Sequence, residues 1–195
     1  MISLYIRFIG NITNKSLRFT FQGFMYTILL MNIFKAMVPD IVYKRADVIP
    51  YETLKSEGKT CILFDFDNTL GPDHATAPDK YAFDIIDKVQ KLGFKCCLVS
   101  NAKSGRSAGI AQELNIPCVT YAHKPRPVGI YRAMEKMGSS KEETVMIGDQ
   151  VFTDVIAGKL AGVYTIMVER YSKKEIWYVV LKRPLEKIVR LFARY

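Results

Sequence analysis

Residues 61–69 read CILFDFDNT: four apolar residues, then Asp65, Phe66, Asp67, Asn68 and Thr69. A short apolar run closed by polar residues is the pattern of a strand buried on both faces, as in a parallel sheet. Asp65 and Asp67 are two apart, so in extended chain their carboxylates point to one side. Carboxylates held so close repel unless a proton or a cation stands between them. Magnesium is the natural cation, because it takes hard oxygen ligands and is held by carboxylates together with waters. The plainer alternative is an acidic turn at a strand end, helped by Asn68. Half-burying an aspartate behind four apolar residues is costly unless it has a use, and this favours the metal reading.

Outward from this stretch the chain alternates. Strands are expected at 61–66, 96–99, 118–121, 145–147 and 164–168, and helices at 51–57, 78–92, 105–114, 128–137 and 154–161. Apolar strands separated by helices predict an α/β, Rossmann-like parallel sheet with helices on both faces. Ligands of such sheets bind beyond the carboxyl ends of the strands, and those ends carry the informative residues.

The second of these strands ends in VSNA, where Ser100 and Asn101 offer a hydroxyl and an amide just before a helix. Such positions bind phosphate oxygens, although a simple helix cap looks the same. Next comes HKPRP, with Lys124 in a turn stiffened by Pro125 and Pro127. A fixed lysine neutralises charge on a transferring phosphoryl group; a solvated loop lysine is the alternative. The following strand ends in IGDQVFTD, with Asp149 after Gly148 and Asp154 where a helix begins. Asp154 reads as a helix cap or as a metal-site residue. Each stretch is ambiguous alone. At the ends of strands of one sheet they make a single site, with acids for a metal and donors for a phosphate, as phosphoryl transfer requires.

In this order the stretches resemble the motifs of the haloacid dehalogenase-like (HAD) phosphatases. Residues 38–58 (VPDIVYKRADVIPYETLKSEG), 99–116 and 147–168 resemble more closely the YqeG family of class IIIA, which is related to phosphatidylglycerophosphate phosphatases. The chain departs from that pattern at Ala102, where a second asparagine is expected. The resemblance implies that Asp65 attacks phosphorus and that Asp67 protonates the leaving oxygen, then activates water. This route replaces one hard displacement by two easier ones. It implies a magnesium ion held by Asp65, Asp149 and the main-chain carbonyl of Asp67, with Thr69 and Asp154 in support. Ser100, Asn101 and Lys124 are implied to bind phosphoryl oxygens. A βαβ unit takes about 30 residues, so the interval from Asp67 to Ser100 leaves no room for an inserted cap domain. The interval from Ser100 to Lys124 is shorter still. The expected site is capless and open, suited to a phosphate on a large or membrane-bound molecule.

Three zones are expected: 1–38, apolar and basic; 39–168, the phosphatase core; and 169–195, a basic aromatic tail. Residues 1–38 contain no acidic residue, and Arg7, Lys15, Arg18 and Lys35 are their charges. This segment reads as an interfacial helix, with a packed helix, a spanning helix or a mitochondrial-type targeting signal as alternatives. The tail carries Trp177 and Tyr178 among lysines and arginines, and 184–192 reads as an amphipathic helix. With a net charge of +9 over 195 residues, the chain is expected to meet an anionic partner. A phospholipid at the inner, cytoplasmic face of a membrane is the leading expectation. A soluble metabolite, nucleotide or phosphoprotein is a second, and a non-catalytic adaptor on RNA or the ribosome a third. Intact Asp65, Asp67, Lys124 and Asp149 argue against the adaptor and against a nucleic-acid partner. Cys61, Cys96, Cys97 and Cys118 include no CxxC pair and mostly sit in apolar runs, as reduced thiols do. With only His74 and His123 besides, a zinc site is not expected. Nothing in the sequence speaks to oligomeric state.

Overall fold

Six strands run parallel in one sheet: β1 (Ile41–Tyr43), β2 (Cys61–Phe64), β3 (Lys95–Val99), β4 (Cys118–Val119), β5 (Thr144–Gly148) and β6 (Tyr164–Val168). Their spatial order is β1-β6-β5-β2-β3-β4. The computed structural model describes residues 34–102 and 105–171. Its connecting helices are α1 (Tyr51–Ser56), α2 (Lys80–Lys91), α3 (Arg106–Glu113), α4 (Val128–Met137) and α5 (Ile156–Ala161). The expected Rossmann-like architecture is the one observed. The expected apolar N-terminal segment, up to residue 33, and the expected basic C-terminal helix lie outside the described residues. Among the described residues no helix is long and apolar enough to cross a membrane.

Successive strand residues point to opposite faces, and this divides the core in two. Ile62, Phe64, Cys96, Leu98, Val145 and Ile147 face one layer, with Leu54, Ile85, Ile86, Val89 and Ile110 from α1, α2 and α3. Cys61, Leu63, Cys97, Val99 and Met146 face the other, with Ile130, Ala133, Ala157 and Ala161 from α4 and α5. Burying a side chain such as Ile130 contributes roughly 1.5–3 kcal/mol. Cysteine serves here as a small apolar residue, and burial above all pushes the thiols of Cys96 and Cys97 up to about 12.

Some boundaries differ from the expectation. The first predicted strand stops at Phe64, because Asp65 makes its last ladder bond, from its N–H to the Ile147 carbonyl (2.9 Å), and the chain then turns. Helix α2 starts at Lys80 because the Asp79 side chain caps it, accepting from the Ala82 N–H at 3.1 Å. The helix expected from 154 is preceded by a π-helical turn, Val151–Val155. Strand β1 was not expected: only three residues long, it sits at the sheet edge beside β6. Asp40 anchors it, its carboxylate accepting from the Thr165 N–H (2.7 Å) and hydroxyl (2.8 Å) and pairing with Lys159 (2.5 Å).

The strand order reverses between β2 and β5, both of which lead to connections on opposite sides of the sheet. A crevice forms at the carboxyl ends of such a pair. Among the described residues, the stretch from β2 to β3 holds one long helix, α2, and the stretch from β3 to β4 holds α3. Among the described residues no inserted domain lies within either stretch, as the spacing predicts.

Candidate active site

Asp65 is the first residue beyond β2, 8% exposed, at the reversal of strand order. Lys124 reaches it from the loop after β4. The Lys124 Nζ donates to Asp65 Oδ1 (2.7 Å), to Asp154 Oδ1 (2.6 Å) and to the Val99 carbonyl (2.8 Å). Three acceptors match the three protons of an ammonium group. Such a cation is kept charged in a buried place only by its partners. Burial pulls its pKa down, but Asp154 and Asp65 pull it up, and the net direction is upward. Asp65 goes the other way from an ordinary carboxylate. Burial pushes it up, Lys124 opposes this, Asp154 and Asp67 add to the rise, and the result is about 7.

The loop that carries Lys124 is fixed from two sides. Helix α4 approaches so closely that a Cβ on Gly129 would lie 2.5 Å from the Ala122 Cβ. Asn101 then grips the Lys124 main chain, its Nδ2 donating to the Lys124 carbonyl (2.9 Å) and its Oδ1 accepting from the Lys124 N–H (2.7 Å). Asn101 was expected at the phosphate; here its amide spends both ends on holding Lys124.

Asp149 and Asp154 follow β5 and are buried, 0% and 1% exposed. The π-helical turn carries Asp154 back under the strand end, where its Oδ2 accepts from the Gln150 N–H at 3.1 Å. Gly148 permits this: any Cβ there would lie 2.5 Å from Asp154 Oδ2. Oxygens of Asp65, Asp149 and Asp154 come within 4.8 Å of one another. Three carboxylates facing one ammonium leave two negative charges, the number that a divalent cation balances. All-oxygen, carboxylate-rich sets are the ones magnesium takes. The donor set therefore fits magnesium.

Asp67 is tied to Arg106. Its Oδ1 accepts from Arg106 Nη1 (2.8 Å) and the His74 N–H (3.0 Å), and its Oδ2 accepts from Arg106 Nη2 (2.5 Å). Arg106 Nη1 also donates to the Ala75 carbonyl at 2.9 Å. The hydrogen bonds that Arg106 donates to Asp67 are the main reason that it lies above its ordinary pKa. Ser100 Oγ accepts from the Ala102 N–H (3.1 Å) and from the Ser107 hydroxyl (3.0 Å), which leaves its own proton to donate. Thr69 is 2% exposed, and among the described residues its hydroxyl has no hydrogen-bond partner.

A family profile described as haloacid dehalogenase-like hydrolase matches residues 52–162. The chain belongs to this family. Among curated relatives of this HAD hydrolase is the probable phosphatase YqeG of Bacillus subtilis, 30% identical over 153 residues, 78% of this chain and 89% of that one. Phosphatidylglycerophosphate phosphatase 1, chloroplastic/mitochondrial, of Arabidopsis thaliana is 26% identical over 154 residues, 74% of this chain but only 44% of that protein. Among solved structures, the deoxy-D-mannose-octulosonate 8-phosphate phosphatase YrbI of Haemophilus influenzae aligns with a TM-score of 0.49 at 15% identity, over 70% of this chain and 90% of that one. The enzyme class expected from the motifs, a HAD-type phosphatase, stands.

The fold of this HAD hydrolase brings Asp65, Lys124, Asp149 and Asp154 together, with Ser100 nearby at the end of β3. Asp154, expected only in support, joins the carboxylate cluster itself. The side chain of Asp67, two residues beyond Asp65, pairs with Arg106. Arg106 and Ser107 escaped the sequence reading. A signal for Arg106 existed: it opens helix α3, and a cation at a helix N-terminus is unfavourable unless an acid answers it.

Proposed function

We propose that this HAD hydrolase is a magnesium-dependent phosphomonoesterase that works through a phospho-aspartate on Asp65, on the head-group phosphate of a phospholipid of the phosphatidylglycerophosphate type. The observation that carries the catalytic part is Asp65 at the strand-order reversal, bonded to Lys124 and clustered with Asp149 and Asp154. Magnesium held by Asp65, Asp149 and Asp154, and by the Asp67 carbonyl that the family pattern implies, would neutralise charge on the phosphoryl oxygens.

The chain's own residues do the rest. Asp65 Oδ forms a bond to phosphorus as the bond to the leaving oxygen breaks, and Asp67 supplies that oxygen's proton. A water oxygen then attacks phosphorus, its proton passes to Asp67, and the Asp65–phosphorus bond breaks to release phosphate. The Ser100 proton and the Lys124 ammonium hold phosphoryl oxygens throughout, the kind of fixed electrostatic support on which phosphoryl transfer depends.

The lipid part rests on the uncapped edge, on the relative from Arabidopsis thaliana, and on charge. Residues 1–38 hold no acidic side chain, and the tail carries eight basic ones, from Arg170 to Arg194. Each lysine or arginine near an anionic lipid surface contributes about 1 kcal/mol. Peripheral attachment to the inner face of a membrane belongs to this reading. A cavity of about 400 Å³ beside Lys124, lined by Asn101, Tyr121, His123 and Arg126, gives room for a polar head group.

Phosphate release from liposomes containing phosphatidylglycerophosphate, with magnesium, tests the proposal beside a panel of soluble phosphomonoesters. Turnover of the lipid well above every soluble ester is expected. Faster turnover of a sugar phosphate or a nucleotide would overturn the lipid assignment. No phosphate release from any ester would overturn the phosphatase reading.

A further inference from the structure

The contact between Asp67 and Arg106 is more completely specified than a surface ion pair. Both carboxylate oxygens meet one guanidinium at 2.8 and 2.5 Å, and the remaining contact is a main-chain N–H from His74 at 3.0 Å. Arg106 is itself held by the Ala75 carbonyl. The side chains of the pair are only 16% and 23% exposed. A two-point fork of this kind fixes the plane of the carboxylate as well as its position.

We propose that Arg106 is a positioning residue that holds the Asp67 carboxylate for the second half of the reaction, the attack of water on the phosphorylated Asp65. The inference rests on the phospho-aspartate reading given above. In that half, the water oxygen bonds to phosphorus, one water proton goes to Asp67, and Asp65 leaves as the free carboxylate. Arg106 exchanges neither electrons nor protons. Its work is to keep one carboxylate oxygen where the water proton must go, and a small misplacement of such a group is costly.

The first half does not need this help when the leaving group departs without a proton, as 4-nitrophenolate does. The two halves can therefore be separated with 4-nitrophenyl phosphate and magnesium. In Arg106→Met, which keeps an unbranched apolar stem but removes the guanidinium, kcat should fall about 100-fold, the lower end of what a proton-transferring group contributes. The value of kcat/KM should stay within about 3-fold of wild type, because it reports only the steps up to the phosphoryl-enzyme. A burst of one nitrophenolate per site should appear, and the phosphoryl-enzyme should accumulate and be trapped by acid quench. Arg106→Lys should recover part of kcat. Asp67→Asn should show the same burst, and adding Arg106→Met to it should cost little more, since the two residues act as a unit.

A merely structural role would lower kcat and kcat/KM together without a burst, and that result overturns the inference. A raised KM at unchanged kcat would place Arg106 on the substrate instead, and overturns it too. A wild-type enzyme that forms no phosphoryl-enzyme on Asp65 would remove the phospho-aspartate reading itself, and the inference with it.

Discussion

Lys124 Nζ lies 2.7 Å from Asp65 Oδ1 while also bonding Asp154 Oδ1, so one ammonium ties the proposed nucleophile to the acidic turn after β5. The side chain of Lys124 is 2% exposed. Its charge is therefore part of the protein's interior, and its removal leaves three carboxylates facing one another.

Lys124→Met should destabilise the metal-free protein by about 3–5 kcal/mol, the usual result of removing one partner from a buried charge cluster. Saturating magnesium should return part of the loss, because it supplies positive charge at the same place. Denaturant titrations with and without magnesium measure both effects. Equal losses in the two conditions would count against a shared electrostatic centre.

Asp65→Asn should abolish turnover while the fold persists, since an amide forms no acyl phosphate. Activity above about 1% of wild type would contradict the covalent route, because loss of a key catalytic group costs orders of magnitude. The same variant should gain stability at neutral pH. Asp65 has a folded-state pKa of about 7, raised from 3.8. Its contribution to stability is thus complete below about pH 4 and is lost as the pH rises through about 7. Wild type without metal should become less stable across that window. Asp65→Asn should lack this slope and should be the more stable protein at about pH 8.

Magnesium should bind more tightly as the pH rises through about 7. The cation needs the ionised carboxylate and displaces the proton that burial favours on Asp65. Calorimetry in two buffers of different ionisation enthalpy should reveal proton release near about pH 6 and little at about pH 8. Affinity independent of pH across this range would separate Asp65 from the metal site.

Asn101→Ala should lower kcat/KM by about 10- to 100-fold, because Lys124 would lose its main-chain grip and drift from Asp65 and from the phosphoryl oxygens it holds. Steady-state kinetics on one soluble ester measure the loss, and a change below about 3-fold would count against the grip.

The amino-acid sequence by itself determined the parallel sheet, the order of its helices and the four strand ends that carry the candidate site. These are local matters. Apolar runs such as CILF, turn residues such as Gly148 and Pro125, and the two-residue spacing of Asp65 and Asp67 act over a few positions, and a strand buried on both faces can hardly be anything else. Tertiary structure alone decided which side chains meet. Asp67 and Arg106 are 39 residues apart, and Lys124 is 59 from Asp65 and 30 from Asp154. No spacing along the chain encodes such meetings. They arise because strand order reverses at β2 and β5 and brings separate loops to one edge. Strand β1 was hidden for a similar reason: its three residues become a strand only because β6 offers them a partner. The task of Asn101 depended on where the Lys124 main chain came to rest, since an amide donates and accepts wherever it finds complementary groups.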